Sequence, residues 1–252
     1  MEIIIFILGI VLGSFYNVVG LRLPNGESIV RPGSHCPRCN HKLSWYENIP
    51  ILSYIFLRGK CKECKCNISI MYPLVEFLTG SLFLICYNLF GISEVFFIGI
   101  VLSSLVVIIY VSDTKYMIIL DSPLVISSIL IIIIKLIYEG IVPCLKAVLF
   151  GLLVFFLMYG LMLLGNAIFK KETLGGGDIK LSFVAGLSLG PALGMFYIAL
   201  GAFLALPYAI YIMIKNKENM LPFGPFLATS MLLIYYNSEA FMKFLNYLLG
   251  LN

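Results

Sequence analysis

Two acidic side chains stand where apolar stretches of this chain end. Asp113 follows a run that closes at Val111, and Asp178 completes Gly175-Gly176-Gly177-Asp178 just ahead of another run. Two carboxyls ~3 Å apart cannot both ionise, so a pair brought together shares one proton. The ionised member draws a proton from water, and the protonated member donates to a carbonyl oxygen. That is the chemistry of peptide hydrolysis without a covalent intermediate. Three successive glycines cost backbone entropy and provide no side-chain packing, which a plain helix end does not need. They are read as permitting positive φ and the close approach of another helix. The simpler reading is that each aspartate only marks where a helix meets water. An Asp at the bilayer centre costs ~2.5–3.5 kcal/mol, and one at its edge costs less. Neither His35 nor His41 forms a recognisable triad pattern with a serine or cysteine, so nucleophilic catalysis has no support.

A second constellation suits a metal. Cys36-Pro-Arg-Cys39 and Cys61-Lys-Glu-Cys64 are two Cys-x-x-Cys pairs separated by 21 residues. Four thiolates match tetrahedral zinc, two from each knuckle. Disulfides are the competing use, and a reducing cytosolic location argues against them. About 30 residues cannot build a sufficient core alone, so the metal would supply folding free energy. Cys66 is a fifth thiol able to compete with Cys64, while His35 and His41 are weaker substitutes. Cys86 and Cys144 sit in or beside apolar runs and read as small buried hydrophobes.

The elements that must carry these groups are membrane helices. Of the 252 residues, 61% are hydrophobic and 12% charged, about half the charge of an ordinary soluble domain, and the mean hydropathy is +1.02. This excludes a soluble globular enzyme and a disordered chain. Apolar stretches lie at Ile3–Val19, Leu74–Phe90, Val95–Val111, Leu124–Tyr138, Ala147–Phe169, Leu181–Ile214 and Phe223–Tyr236. The stretch 181–214 is too long for one crossing of ~20 residues, and Gly190-Pro191 is the expected break. The expectation is therefore an all-α polytopic protein with about eight crossings. The tail 239–252 reads as a short interfacial helix.

Charge orients the helices. Eight of the 17 basic residues fall between Arg22 and Lys65 against three acids, a surplus of +5. Such a loop stays in the cytoplasm. Eight crossings place Lys115, Lys170, Lys171, Lys180, Lys215 and Lys217 on that same side, with both aspartates at its membrane boundary. The order Glu2, apolar run, Arg22 reads as an uncleaved anchor with its amino end outside. The basic surplus suits anionic lipid headgroups rather than nucleic acid. The organisation expected is a first transmembrane helix over 1–20, a cytoplasmic four-cysteine zinc module over 21–72, and a membrane core over 73–252. Asn17, inside an apolar run, is expected to hydrogen-bond another helix, with contact to a substrate as the alternative.

In combination these motifs resemble the type IV prepilin peptidases, a family of GxGD membrane aspartyl proteases. The resemblance covers nearly the whole chain. It rests on Gly13-Ser14-Phe15-Tyr16-Asn17-Val18-Val19, Arg22-Leu23-Pro24 and the cysteine pairs flanking Glu47-Asn48-Ile49-Pro50 and Leu57-Arg58-Gly59-Lys60. Tyr72-Pro73-Leu74-Val75-Glu76, Asp113-Thr114-Lys115, Gly175–Asp178 with Lys180, and Pro222-Phe223-Gly224-Pro225-Phe226 complete it. One departure is Leu120, which stands where the family has a proline ahead of Asp121, and this leaves Asp121 as a rival to Asp113.

The resemblance implies catalytic Asp113 and Asp178, supported by Gly175, Gly177, Lys115, Lys180 and Glu76, with structural zinc on Cys36, Cys39, Cys61 and Cys64. It implies cleavage of a basic leader from prepilins or pseudopilins after a glycine. It further implies methylation of the new amino terminus with S-adenosylmethionine, in a bacterial cytoplasmic membrane with the active site facing the cytoplasm. Glu76 also has a plain reading, since an acid in the first turn after Pro73 is good helix-start chemistry. The alternative class is a zinc-stabilised membrane scaffold, or an ion or proton transporter, without proteolysis.

Overall fold

A computed structural model describes residues 1–170, 173–215 and 221–250, the side chain of Leu249 excepted. Lys171 and Lys217 of the expected cytoplasmic loops lie outside the described residues. The chain divides into two compact units, Met1–Gly91 and Ile92–Asn252. The described residues contain helices and no extended strand, only two isolated bridges, His35 with Lys42 and Lys60 with Asn67.

The first unit holds α1 (Glu2–Arg22), a short α2 (Leu52–Phe56) and α3 (Met71–Phe90), with the cysteine module between α1 and α3. Helix α1 is apolar on every face, as a lipid-embedded helix must be. In lipid the hydrophobic effect cannot drive helices together, so close backbone approach does. Gly9 and Gly13, one turn apart on α1, provide it. A Cβ on Gly9 would lie 2.7 Å from the Gly80 Cα, and one on Gly13 would lie 2.9 Å from the Glu76 Cα. The amide of Asn17, buried on the same helix, donates to the Tyr72 carbonyl at 3.2 Å. The expected helix–helix hydrogen bond therefore forms.

The second unit contains α4 (Glu94–Tyr116), α5 (Asp121–Tyr138), α6 (Ile141–Phe169), α7 (Gly176–Lys215), α8 (Gly224–Tyr236) and α9 (Ser238–Leu249). Ser93 starts α4 by accepting the Phe96 amide on its Oγ, and Met117, at φ 55°, ends it. Leu102, Leu105, Val107 and Ile109 of α4 are buried, while Ile133 of α5, Leu149 and Phe156 of α6 and Phe203 of α7 are exposed. Exposed apolar side chains on this scale fit lipid contact rather than water. Among the described residues six helices are long and apolar enough to cross a membrane: α1, α3, α4, α5, α6 and α7.

Helix α7 does not run straight. Gly190 sits at φ 77°, ψ −177°, outside helical geometry, immediately before Pro191. A Cβ on Gly194 would lie 3.1 Å from the Gly186 Cα, whereas eight residues of continuous helix span about 12 Å. The chain therefore reverses at Gly190, and α7 is two antiparallel limbs. The break expected at Gly190-Pro191 is where it occurs. The two limbs, the five other long helices and the 13-residue α8 make up the eight apolar segments. Helix α9 is amphipathic, and its Phe241 and Phe244 pack on Phe196 of the second limb.

Candidate active site

Asp113 lies in the last turn of α4, and Asp178 is the third residue of α7. Their side chains line one cleft of about 280 Å³ together with Gly175, Gly177, Ile119 and Phe223. Both aspartates are buried, with 5% and 7% of their surface exposed. The amide of Gly224, which opens α8, donates to Asp113 Oδ2 at 3.1 Å. Asp178 Oδ1 is buried and has no partner among the described residues. A buried carboxylate oxygen left unpaired costs free energy, so this atom is available to a reactant or a water.

Hydroxyls tie the helices that present the pair. Ser182 Oγ, one turn beyond Asp178, donates to the Asp178 carbonyl at 3.0 Å and meets the Tyr197 hydroxyl across the α7 hairpin. Ser230 of α8 donates to the Tyr197 carbonyl at 2.9 Å. The limb bearing Asp178 is thus linked through Tyr197 to the helix whose amino end holds Asp113.

The glycine run works differently from the sequence expectation. None of Gly175, Gly176 and Gly177 has positive φ; Gly176 and Gly177 already belong to the first turn of α7. What Gly177 provides is room, because a Cβ there would come within 2.6 Å of the Ile119 Cβ. Gly224 is hemmed in the same way, by Ile119 Cδ1 at 2.7 Å and Asp113 Oδ2 at 2.8 Å.

Not every residue singled out in the sequence joins this cleft. Lys180 pairs with Asp121 at 2.6 Å, with both side chains largely exposed. Asp121 is therefore engaged by a lysine, whereas Asp113 shares the cleft with Asp178. Lys115 lies over the Tyr116 ring, 5.1 Å from its centroid. Ile119, which no motif in the sequence pointed to, is the wall that Gly177 and Gly224 both contact.

Glu76 belongs to the first unit. It is buried, and its Oε2 accepts the amide of Ile51 at 2.7 Å. Ile51 sits at φ 61°, ψ −52°, with the Leu52 amide bonded to the Pro50 carbonyl. This is a γ-turn of the strained hand, costly for a β-branched residue. Glu76 thus ties α3 to the segment between the two cysteine pairs, at a strained residue.

The module itself is two matched knuckles. The Asn40 amide bonds back to the Cys36 carbonyl and the Lys65 amide to that of Cys61, with Asn40 and Lys65 both left-handed. The Sγ atoms of Cys36, Cys39, Cys61 and Cys64 all lie within 4.8 Å of one another. Cys36–Cys64 and Cys39–Cys61 are each 3.9 Å apart. Zinc–sulfur bonds of ~2.3 Å in a tetrahedron place sulfurs ~3.8 Å apart, so the four thiols fit that ion. Cys66 Sγ lies 3.6 Å from Cys36 Sγ and remains a rival ligand.

Beside the cysteines, Glu47 is buried and accepts the Ser44 amide at 2.8 Å and His41 Nε2 at 3.2 Å. The Ser44 amide holds its carboxyl below the usual range against the opposing effect of burial, and His41 adds to the depression. Metal removal, verified by elemental analysis, is expected to raise the rate of proteolysis within residues 21–72 at least tenfold, because four clustered thiols would then lose the ion that would hold the two knuckles together. Unchanged proteolysis after complete removal would exclude a structural metal.

Fold and cleft together define a multi-pass membrane protein with a buried acidic pair. Residues 7–90 match the Bacterial Peptidase A24 N-terminal domain, and residues 100–210 match the Type IV leader peptidase family. A prepilin leader peptidase/N-methyltransferase of Bacillus subtilis is 34% identical over 96% of this chain and 96% of its own length. One from Neisseria gonorrhoeae is 30% identical over 96% of this chain and 92% of its own length. A third, from Myxococcus xanthus, is 41% identical over 74% of this chain, and that match spans 56% of the relative. No solved structure matches the chain. The chain belongs to the prepilin leader peptidase/N-methyltransferase family and is an enzyme of the bacterial membrane.

Proposed function

We propose that this enzyme cleaves the leader from prepilins or pseudopilins at the cytoplasmic membrane boundary, with Asp113 and Asp178 activating the attacking water. The observation that carries this reading is that two buried carboxyls from distant parts of the sequence line one cleft. The pair holds one proton between them. The Gly224 amide favours a charged oxygen on Asp113, so Asp113 is assigned as the base that takes a proton from water. Asp178 donates to the carbonyl oxygen of the scissile bond as the tetrahedral centre forms. The C–N bond then breaks as the departing amine takes up the proton that Asp113 received, and a hydroxyl of the collapsing tetrahedral centre returns its proton to Asp178 as the carboxyl product forms.

The topology suits such a substrate. A prepilin offers a basic leader in the cytoplasm and an apolar helix in the bilayer, and a dyad at that boundary meets the junction between them. The positively charged loop is not the leader's receptor, because like charges repel; anionic headgroups fit it better. In the second half of the proposal the same chain methylates the amine released by cleavage, with S-adenosylmethionine as co-substrate.

Purified enzyme in detergent, mixed with a prepilin and the methyl donor, is expected to yield a product lighter by the leader and heavier by one methyl group. Mass spectrometry separates the outcomes. Cleavage without the methyl increment would remove the transferase half, and an intact prepilin would remove the whole reading. The transporter alternative predicts ion flux in liposomes and an intact prepilin.

A further inference from the structure

The loop between α4 and α5 places one branched side chain against both backbones that frame the acidic pair. We propose that Ile119 sets the size limit for the substrate residues flanking the scissile bond, which makes it a specificity determinant of the peptidase. This rests on the proposed peptidase function and adds to it the residue that selects among substrates.

Three observations carry it. First, Ile119 touches both glycines beside the aspartates: its Cβ would stand 2.6 Å from a Cβ on Gly177, and its Cδ1 would stand 2.7 Å from one on Gly224. The backbones of α7 and α8 give way to this side chain, so space in the cleft is limited by Ile119 itself. Second, Ile119 lines the same cleft as Asp113 and Asp178 and is only half-buried, so one face of it is turned to an occupant. Third, the loop is held at both ends. The Met117 amide bonds to the Asp113 carbonyl at 2.9 Å, and Asp121 pairs with Lys180, two residues beyond Asp178. An exposed ion pair adds little to stability, but this one marks where the end of the loop meets the helix that bears Asp178. A β-branched residue there is stiff at χ1, so its side chain yields less readily to a bulky group.

A steric wall of this kind discriminates by one or two carbon atoms, which is worth roughly 10–200-fold in kcat/KM. The test compares wild-type enzyme, Ile119→Ala and Ile119→Val on a prepilin and on variants enlarged by one step at either residue flanking the scissile bond. The quantity read is the ratio of kcat/KM for the enlarged substrate to that for the parent. Wild-type enzyme is expected to favour the parent at least tenfold at one of the two positions. Ile119→Ala is expected to raise that ratio at least tenfold, with Ile119→Val intermediate.

A merely structural role would lower cleavage of both substrates together and leave the ratio unmoved. Ratios within twofold of wild type at both positions, in whichever variant retains cleavage, overturn the proposal. So does loss of all cleavage in Ile119→Ala alongside an unchanged ratio in Ile119→Val. Failure of the wild-type enzyme on the parent prepilin would instead count against the peptidase reading.

Discussion

Replacing Asp113 or Asp178 with asparagine is expected to lower prepilin cleavage by about 10²–10⁴-fold, the range that a positioned acid or base contributes. The substitution is nearly isosteric, and in Asp113→Asn the side-chain oxygen would still accept the Gly224 amide. A neutral amide is also cheaper to bury than a carboxylate, so insertion and thermal stability are expected to remain near wild type. The two effects therefore separate cleanly. Assays of leader removal and of melting temperature on the same detergent-solubilised samples check this. Either variant cutting prepilin within tenfold of wild type, at equal yield, would mean that the aspartates do not perform the hydrolysis.

The second large effect comes from a single methyl group. Gly177→Ala is expected to lose about 10²-fold in cleavage, because its Cβ meets the Ile119 Cβ at 2.6 Å and the α4–α5 loop must shift against the helix carrying Asp178. Displacement of catalytic groups by ~1 Å costs about that much. The neighbouring Gly176→Ala is the control. A Cβ there has nothing within 4 Å, and exchanging glycine for alanine in a helical turn stabilises by up to about 1 kcal/mol. It is expected to cleave within threefold of wild type. Equal losses at both positions would show that the run is needed for backbone freedom rather than for clearance, since the packing argument distinguishes them sharply.

That contrast also marks what sequence reasoning reached. Consecutive glycines announce an unusual backbone requirement, but composition alone does not separate positive φ from close approach. The structure decides for approach, since all three glycines avoid the left-handed region. Gly190 is the opposite case. Its neighbour Pro191 and the excessive length of the apolar run made a reversal legible, and there the positive φ is real. The cysteine spacing was equally legible, because ligand chemistry fixes both residue type and separation.

Ile119 left no trace. It is one apolar residue among many, and its importance comes from two glycines 58 and 105 positions away meeting it in space. The Gly9–Gly13 seam on α1 was readable in principle from its four-residue spacing, yet glycines are common enough in apolar helices to hide it. Asp121 looked like a competitor for Asp113 because the local proline was missing; only the position of Lys180 shows where that carboxylate is used.

The two shortest apolar segments both begin at the acidic pair. The first limb of α7 runs for about 14 helical residues before Gly190, and α8 for 13. At 1.5 Å per residue each is about 20 Å long, against about 30 Å of hydrocarbon. Each is therefore roughly 10 Å too short to cross such a layer alone, a mismatch that thinning of the lipid or cover from neighbouring helices would absorb. Were thinning the answer, turnover would rise in vesicles of shorter acyl chains, and lipid thickness would join the factors that set the rate.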